Sequence, residues 1–454
     1  MSFEGKEFTL RSLCLLVVDC PHATPKWTDS GVIVLRNKNI KGGRLDLSSP
    51  SFTDEVHYQG RIRRAAPQGG DIVMTREAPM GEVCEIPHGL RCCVGQRQVL
   101  LRPNPEKVHG RFLLFALQST YLQQQIGWNE GTGSTVSNLR IPVLEALRVP
   151  TPSLRDQIEI ANTLGALDDR IALLRETNAT LEAIAQALFK SWFVDFDPVR
   201  AKMAGRAPEG MDEATAALFP AEFEESGQRL TPKGWIPTAV ADVCSVVKGK
   251  SYSSRDLVET CDTALVTLKS FERGGGFRMD GFKPYAGTYK QNQVVEPGDL
   301  IVAYTDVTQA AELIGKPAIV VGVPEYNRLV ASLDVGIIRI DASRASKQFL
   351  YGLFQTDEFQ SHTLAHTSGT TVLHLAKEAV GSFVFVRPQQ QLVCAFDEFA
   401  DAISARRQTN SDQIRLLTTL RDTLLPRLIS GQLRLPLADT QPAIAPLARS
   451  PAPV

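Results

Sequence analysis

One pattern in this chain occurs twice, and that duplication limits its fold more than any other feature. Arg111-Phe112-Leu113-Leu114-Phe115 runs on to Gly131-Thr132-Gly133-Ser134-Thr135-Val136-Ser137-Asn138-Leu139. It is answered by Gln348-Phe349-Leu350-Tyr351-Gly352-Leu353-Phe354, which runs on to Thr367-Ser368-Gly369-Thr370-Thr371-Val372-Leu373-His374-Leu375. Upstream, Gly70-Asp71-Ile72-Val73 matches Gly298-Asp299-Leu300-Ile301. Downstream, Val149-Pro150-Thr151-Pro152 matches Val386-Arg387-Pro388, and each leads into a long helical pattern. A module followed by a helix is therefore present in two divergent copies, as suits a protein that reads two different things with one architecture.

The helical patterns share a period. From Leu164 the sequence places Leu164, Leu167, Ile171, Leu174, Asn178, Leu181, Ala185, Leu188 and Trp192 on one seam with alternating steps of three and four. Pro152-Ser153 supplies the start, and Pro198 cannot continue a helix. The second copy gives Phe396, Phe399, Ile403, Arg406, Asn410, Gln413, Leu417, Leu420 and Leu424. There Pro426 perturbs the end and Gly431 terminates it. A helix of about 40 residues is roughly 60 Å long. Both seams carry an Asn preceded by Thr, and a seam Asn sets register at a cost in stability. The expectation is an antiparallel pair with Asn178 and Asn410 near mid-length; the alternative is that each helix packs on its own module.

The modules mix short apolar runs with loops, which predicts an α+β fold: two tandem pseudo-repeated globular domains separated by two long antiparallel coiled-coil helices. The segments read as a first module over 1–152, a central helix over 153–197, an acidic and proline-containing surface linker over 198–232, a second module over 233–388, a distal helix over 389–432 and a disordered tail over 433–454. Strands are expected near Val32–Leu35, Asp71–Thr75, Glu82–Ile86 and Val99–Arg102, with a helix over Gly110–Gln125 and a further strand ending near Arg140-Ile141-Pro142. In the second copy they are expected near Ala264–Lys269, Asp299–Tyr304, Ala318–Val323 and Gly336–Ile340, with a helix over Ala345–Thr363. A short helix is expected near Asp212–Leu218.

Composition narrows the functional class. Net charge is −1, which argues against indiscriminate polyanion binding. Up to Pro152, however, 18 Lys and Arg face 14 Asp and Glu, and the 205–230 connector is acidic, so phosphate contacts would be local. The apolar run Leu13–Val18 is too short for a membrane span, which needs about 20 residues, and has no basic flank of a signal peptide. Eight scattered cysteines without C-x-x-C spacing fit a reduced, cytoplasmic protein with no zinc site.

Catalytic patterns are missing. Asp195-Phe196-Asp197-Pro198 only superficially resembles the Asp-Pro-Pro-aromatic motif of amino-methyltransferases, and no glycine-rich cofactor loop follows a strand. Asp299, Glu312 and Lys316 have the wrong spacing for a metal-dependent nuclease. Gly274-Gly275-Gly276 lacks the Lys-Ser/Thr of a phosphate loop, and His362 and His366 lack the intervening Glu of a zinc protease.

Several stretches together carry a family likeness. Asp19-Cys20-Pro21-His22-Ala23-Thr24-Pro25 opens the first module, and Leu230-Thr231-Pro232-Lys233-Gly234-Trp235 opens the second. The stretches Leu181–Phe196 and Leu420–Gly431 close the two helices. The whole chain resembles the DNA-specificity subunit of type I restriction-modification systems. One departure is Gln389-Gln390-Gln391, where such proteins often carry Pro-Leu-x-Glu-Gln. The resemblance implies a non-catalytic subunit with two target-recognition domains, each reading half of a split double-stranded DNA target. It implies as partners methyltransferase (modification) subunits and restriction subunits that translocate and cleave. S-adenosylmethionine, ATP and magnesium would belong to those partners, with no cofactor or metal in this chain.

Within that reading, the DNA contacts of the first module are expected at Lys26, Trp27, Arg36, Lys38, Asn39 and Lys41, and at Arg61, Arg63 and Arg64, since such residues contact phosphates and guanine. The paired loops add Thr132, Ser134, Thr135 and Asn138, and Ser368, Thr370, Thr371 and His374. The second module adds Lys248, Lys250, Lys269, Arg273, Arg278 and Lys290. The helix interface is expected at Leu164, Leu167, Ile171, Leu174, Asn178, Leu181 and Leu188, against Phe399, Ile403, Asn410, Leu417, Leu420 and Leu424. Two other classes stay open: a coiled-coil adaptor with two protein-interaction modules, or a DNA methyltransferase or nuclease with unrecognised motifs.

Overall fold

The computed structural model describes residues 6–128, 138–226, 229–279, 281–308 and 310–435. The expected loop contacts at Thr132, Ser134 and Thr135, and the tail from residue 436, lie outside them. Two compact units emerge, one built from the chain up to Leu173 with the described residues from Gln413 onward, the other from Leu174–Asp412.

In the first unit an antiparallel sheet has the order Cys14–Asp19, Gln98–Pro103, Ile72–Thr75, Val83–Glu85. Its central strands are buried on both faces, so they read as continuous apolar runs rather than alternating ones. One face packs on the helices Gly110–Gln118 and Thr120–Gly127 around Phe112, Phe115, Leu122 and Ile126. A smaller sheet, Phe52–Thr53, Val32–Leu35, Cys92–Val94, contains a parallel pair. The expected single helix over Gly110–Gln125 is broken at Ser119, which is extended (φ −64°, ψ 148°) and caps the next helix by accepting from the Leu122 N–H. The strand expected to end at Pro142 is instead the helix Ile141–Ala146, because a proline in the first turn suits a helix start.

The second unit repeats this design: Cys244–Lys248, Val335–Ile340, Leu300–Ala303, Pro317–Ile319 form the main sheet, and Thr263–Val266 and Arg328–Ala331 the parallel pair of the small one. Its helices Lys347–Gln355 and Asp357–Ala365 are separated by Thr356, which caps as Ser119 does. Gln123 donates to the Leu117 and Gly81 carbonyls, and Gln360 donates to those of Phe354 and Gly315. The stretch expected to be a surface linker is largely exposed, as expected, but it is structured and anchored on this unit's core by a few apolar side chains. Asp197–Met203 is a helix, Phe223–Ser226 pairs with Arg229–Pro232, and Val199 and Phe219 are buried beside Trp192 and Trp235. Apolar side chains spaced among the prolines drive this packing, and composition alone hid them. The short helix near Asp212 is present as Glu213–Ala217, capped by Asp212.

Two helices of 40 residues, Leu154–Phe193 and Gln390–Ile429, contribute to both units. Pro426 sits inside the second one. In the first unit Ile160, Ala161 and Leu164 share a core with Leu428 and Ile429, and Arg421 Nη1 lies 2.8 Å from Asp168 Oδ1. In the second, Asn410 donates to Asn178 Oδ1 at 2.8 Å, Asn178 donates to the Arg407 carbonyl, Arg407 pairs with Glu182, and the Phe189 and Phe396 rings are 5.5 Å apart. In each unit residue numbers rise along one helix as they fall along the other, so the pairing is antiparallel.

The second helix's seam differs from the expected one at alternate positions. Leu420 is 46% exposed and Arg406 faces solvent, while Phe399, 50% exposed, sits at the rim with its ring edge-on to Trp192 of the first helix (6.3 Å). Their neighbours Ala400, Arg421 and Arg407 point inward instead. Apolarity picks Phe399 and Leu420, but the acidic partners Asp168 and Glu182 on the first helix draw Arg421 and Arg407 into the interface. On the first helix Leu164, Ile171 and Leu174 are buried, whereas Leu167, Leu181 and Leu188 are half-buried at the rim. This register predicts that Arg407→Met lowers stability by about 1–3 kcal/mol, the penalty of leaving the Glu182 carboxylate without its cation, reduced by partial exposure. Arg406→Ala should stay within about 0.5 kcal/mol. Urea or thermal unfolding of both variants measures the difference; equal effects would refute the register.

Candidate nucleic-acid interface

Both modules gather loops at one end of the main sheet, and the same three backbone hydrogen bonds build that end. In the first, the Cys20 N–H donates to the Gln98 carbonyl (3.1 Å), Arg76 N–H to Arg97 (2.8 Å) and Leu139 N–H to Arg76 (3.0 Å). In the second, Gly249 donates to Val335 (3.0 Å), Tyr304 to Asp334 (2.7 Å) and Leu375 to Tyr304 (2.9 Å). The backbone frame is held constant while the side chains it presents differ.

In the first module the frame is tied by charge. The buried Arg76 guanidinium donates to Asp19 Oδ1 (2.6 Å), the Leu139 carbonyl (2.8 Å) and Asn138 Oδ1 (3.2 Å). It thus joins the opening Asp19-Cys20-Pro21 stretch to Asn138 and Leu139. Glu77 accepts from Asn138 and pairs with Arg97, while its carbonyl accepts from Asn37. Sequence reading missed Arg76; a charged pair, Arg76-Glu77, directly after an apolar strand was the available signal. Burial pushes the Cys20 thiol above its ordinary value, which suits a structural cysteine.

In the second module the strand Thr305–Asp306 pairs with Leu373–Leu375, which pairs with Thr367–Ser368. Gly369 turns between them at φ +105°, where a Cβ would meet the Val372 carbonyl oxygen at 2.0 Å. Burial alone would raise the Asp306 carboxyl, but hydrogen bonds from Thr308, Leu313 and Ile314 outweigh it and hold the group below its ordinary value. Gly249 passes close to the neighbouring strand, where a Cβ would lie 2.0 Å from the Ser332 carbonyl oxygen.

The expected contact residues divide. Lys26, Trp27, Arg36, Lys38, Lys41, Arg63 and Arg64 are exposed, although Lys26 pairs with Asp54 (3.6 Å) and Arg64 donates to the Asp19 carbonyl (3.4 Å). Asn39 and Arg61 are corrections. Asn39 is buried, accepts from the Arg36 N–H and donates to the Asp46 carbonyl, which closes its own turn. Arg61 is 8% exposed and donates to the Val94, Ala23 and Pro21 carbonyls, so its charge serves internal loops. Asn138 is exposed at the frame. In the second module Lys248, Lys269, Arg278, Lys290, Ser368, Thr370, Thr371 and His374 are exposed, Lys250 is half-buried, and Arg273 pairs with Glu312 (3.2 Å).

One pair of these cations is equivalent between modules. The turn Asn37–Asn39 follows the small-sheet strand Val32–Leu35, and Leu268–Ser270 follows Thr263–Val266. The Arg36 N–H donates to Asn39 Oδ1, as the Thr267 N–H donates to Ser270 Oγ. Lys38 and Lys269 therefore occupy the same place. Among the described residues no three His, Cys, Asp or Glu side chains are placed to hold a metal, and no helix is long and apolar enough to cross a membrane.

Comparison with known proteins matches this arrangement. Residues 23–183 fit the family model of the type I restriction modification DNA specificity domain. The type I restriction enzyme HindI specificity subunit of Haemophilus influenzae is 24% identical, over 75% of this chain and 81% of its own. The MjaIX specificity subunit of Methanocaldococcus jannaschii is 25% identical, over 80% of this chain and 78% of its own. The crystal structure of the S subunit of a type I restriction-modification system from M. genitalium shares the fold, with a TM-score of 0.51, 16% identity, and 94% and 96% of the two chains covered. The duplicated sheet-end frame, the paired long helices and these relatives agree: residues 23–183 match the type I restriction modification DNA specificity domain, and most of the chain is similar to type I specificity subunits.

Proposed function

We propose that this chain reads a two-part duplex DNA target, one half per module, and assembles with methyltransferase and restriction subunits. The observation that carries this reading is the repeated sheet-end frame: matching backbone hydrogen bonds present different side chains. A constant frame with variable side chains suits base readout from a rigid scaffold. The chain is the non-catalytic member of such a system. S-adenosylmethionine for adenine methylation, and ATP and magnesium for translocation and cleavage, would enter with the partners. A DNA target and eight free cysteines fit work in the cytoplasm.

The test is the methylated motif of cells carrying this chain and its methyltransferase partner. Exchanging residues 1–152 for another such module should change one half of the motif and preserve the other; joint change of both halves would defeat the two-reader scheme. Lys38 and Lys269, equivalent and exposed, would bind phosphates. Replacing either by Ala should lower the slope of log affinity against log salt by about one and leave the motif unchanged.

The helices would set the spacing between the halves. Inserting four residues near Thr180 adds roughly 6 Å of helix, close to two base pairs at ~3.4 Å each. The half-site sequences should persist while the gap lengthens, with some stability lost as the Asn178–Asn410 hydrogen bond is displaced. An unchanged gap in an active complex would show that the helices do not measure it.

A further inference from the structure

We infer that Arg36, stacked on Trp27, reads a guanine in the half-site of the first module. This rests on the DNA-reading function proposed above and assigns it one base. Several cations of this unit are neutralised: Lys26 by Asp54, Arg91 by Glu55, Arg97 by Glu77, Arg102 by Asp71, Arg111 by Asp169. Arg36 is different. Among the described residues no carboxylate pairs with its guanidinium, which instead lies 5.0 Å from the centre of the Trp27 ring. Trp27 is itself 45% exposed, so the stacked pair is open to solvent.

The backbone beneath both side chains is fixed. The Lys26 carbonyl accepts from Thr53 Oγ1 at 2.8 Å, and Thr28 N–H donates to the Phe52 carbonyl at 3.1 Å, so Trp27 is held on both sides. The Arg36 N–H is held by the buried Asn39. An aromatic face orients a guanidinium plane without consuming its N–H donors, which leaves the fork free along its edge. That fork matches guanine O6 and N7 in the major groove; a phosphate can take the same fork bidentately, but such a contact carries no base-dependent penalty, which is what the competition below reads.

The second module supplies the contrast. At the position of Arg36 it has Thr267, buried and donating to the Gly281 carbonyl, while Lys38 keeps its counterpart in Lys269. What the modules share is a point charge suited to any phosphate; what they do not share is the oriented fork. A residue that differs between two readers of different sequences is placed to distinguish them.

The experiment uses the chain assembled with its methyltransferase partner. Duplexes carrying the methylated motif, with each base pair of both half-sites replaced in turn, compete for binding. For the wild type, one G·C pair of the first half-site should carry a penalty of about 5- to 150-fold on replacement, the discrimination of a bidentate arginine–guanine contact. In Arg36→Ala that penalty should fall to near unity while the others persist. Arg36→Lys, which keeps the charge and loses the fork, should also lose most of it. Four results overturn the inference: a first half-site without guanine, unchanged penalties in Arg36→Ala, full discrimination retained in Arg36→Lys, or penalties lost in both half-sites together. If the wild-type complex shows no base-dependent competition at all, the DNA-reading function itself fails.

Discussion

The pairing of the two long helices is keyed by polar groups rather than by apolar contact. In one unit Asn178 and Asn410 meet side chain to side chain and Glu182 meets Arg407; in the other, Asp168 meets Arg421. An apolar seam tolerates sliding by a turn, because one leucine resembles another. A buried amide or carboxylate does not, because a slip strands it without a partner at a cost of several kcal/mol. The hydrogen bonds from Tyr351 and Gln355 to Glu182 then carry that register into the second module. A seam that cannot slip is the property required of helices that would fix a distance.

The modules follow a related rule. Their sheet ends are defined by backbone hydrogen bonds, which nearly any residue can make, so side chains are released to vary. Asp71 paired with Arg102, and Asp299 with Arg339, brace corresponding sheet positions away from the variable loops. The two copies have diverged where side chains face outward and kept one frame where the backbone pairs.

Much of this was legible in the chain. The duplication, the α+β character and the two helices follow from repeated order and periodicity. The Asn178–Asn410 pairing was legible because a buried amide on an otherwise apolar seam needs a polar partner, and the matching seam offers one. Alternate seam positions were not, because Phe399 and Leu420 outweigh Ala400 and Arg421 on apolarity when the acids opposite are unseen. Surface cations were legible as a class, but Arg61 and exposed Arg63 look alike in sequence; carbonyls contributed by Pro21, Ala23 and Val94 decide that one is internal.

The sequence by itself determined the architecture: two copies, two helices, and a family resemblance carried by motifs at their joints. Those features depend on local propensity and on order along the chain. Only the tertiary structure decided which charges face inward, that Val199 and Phe219 anchor the 198–232 stretch on the core, and that Arg36 rests on Trp27 while its counterpart Thr267 is buried. Each depends on partners distant in sequence, and burial and pairing are properties of the neighbourhood that no single residue carries.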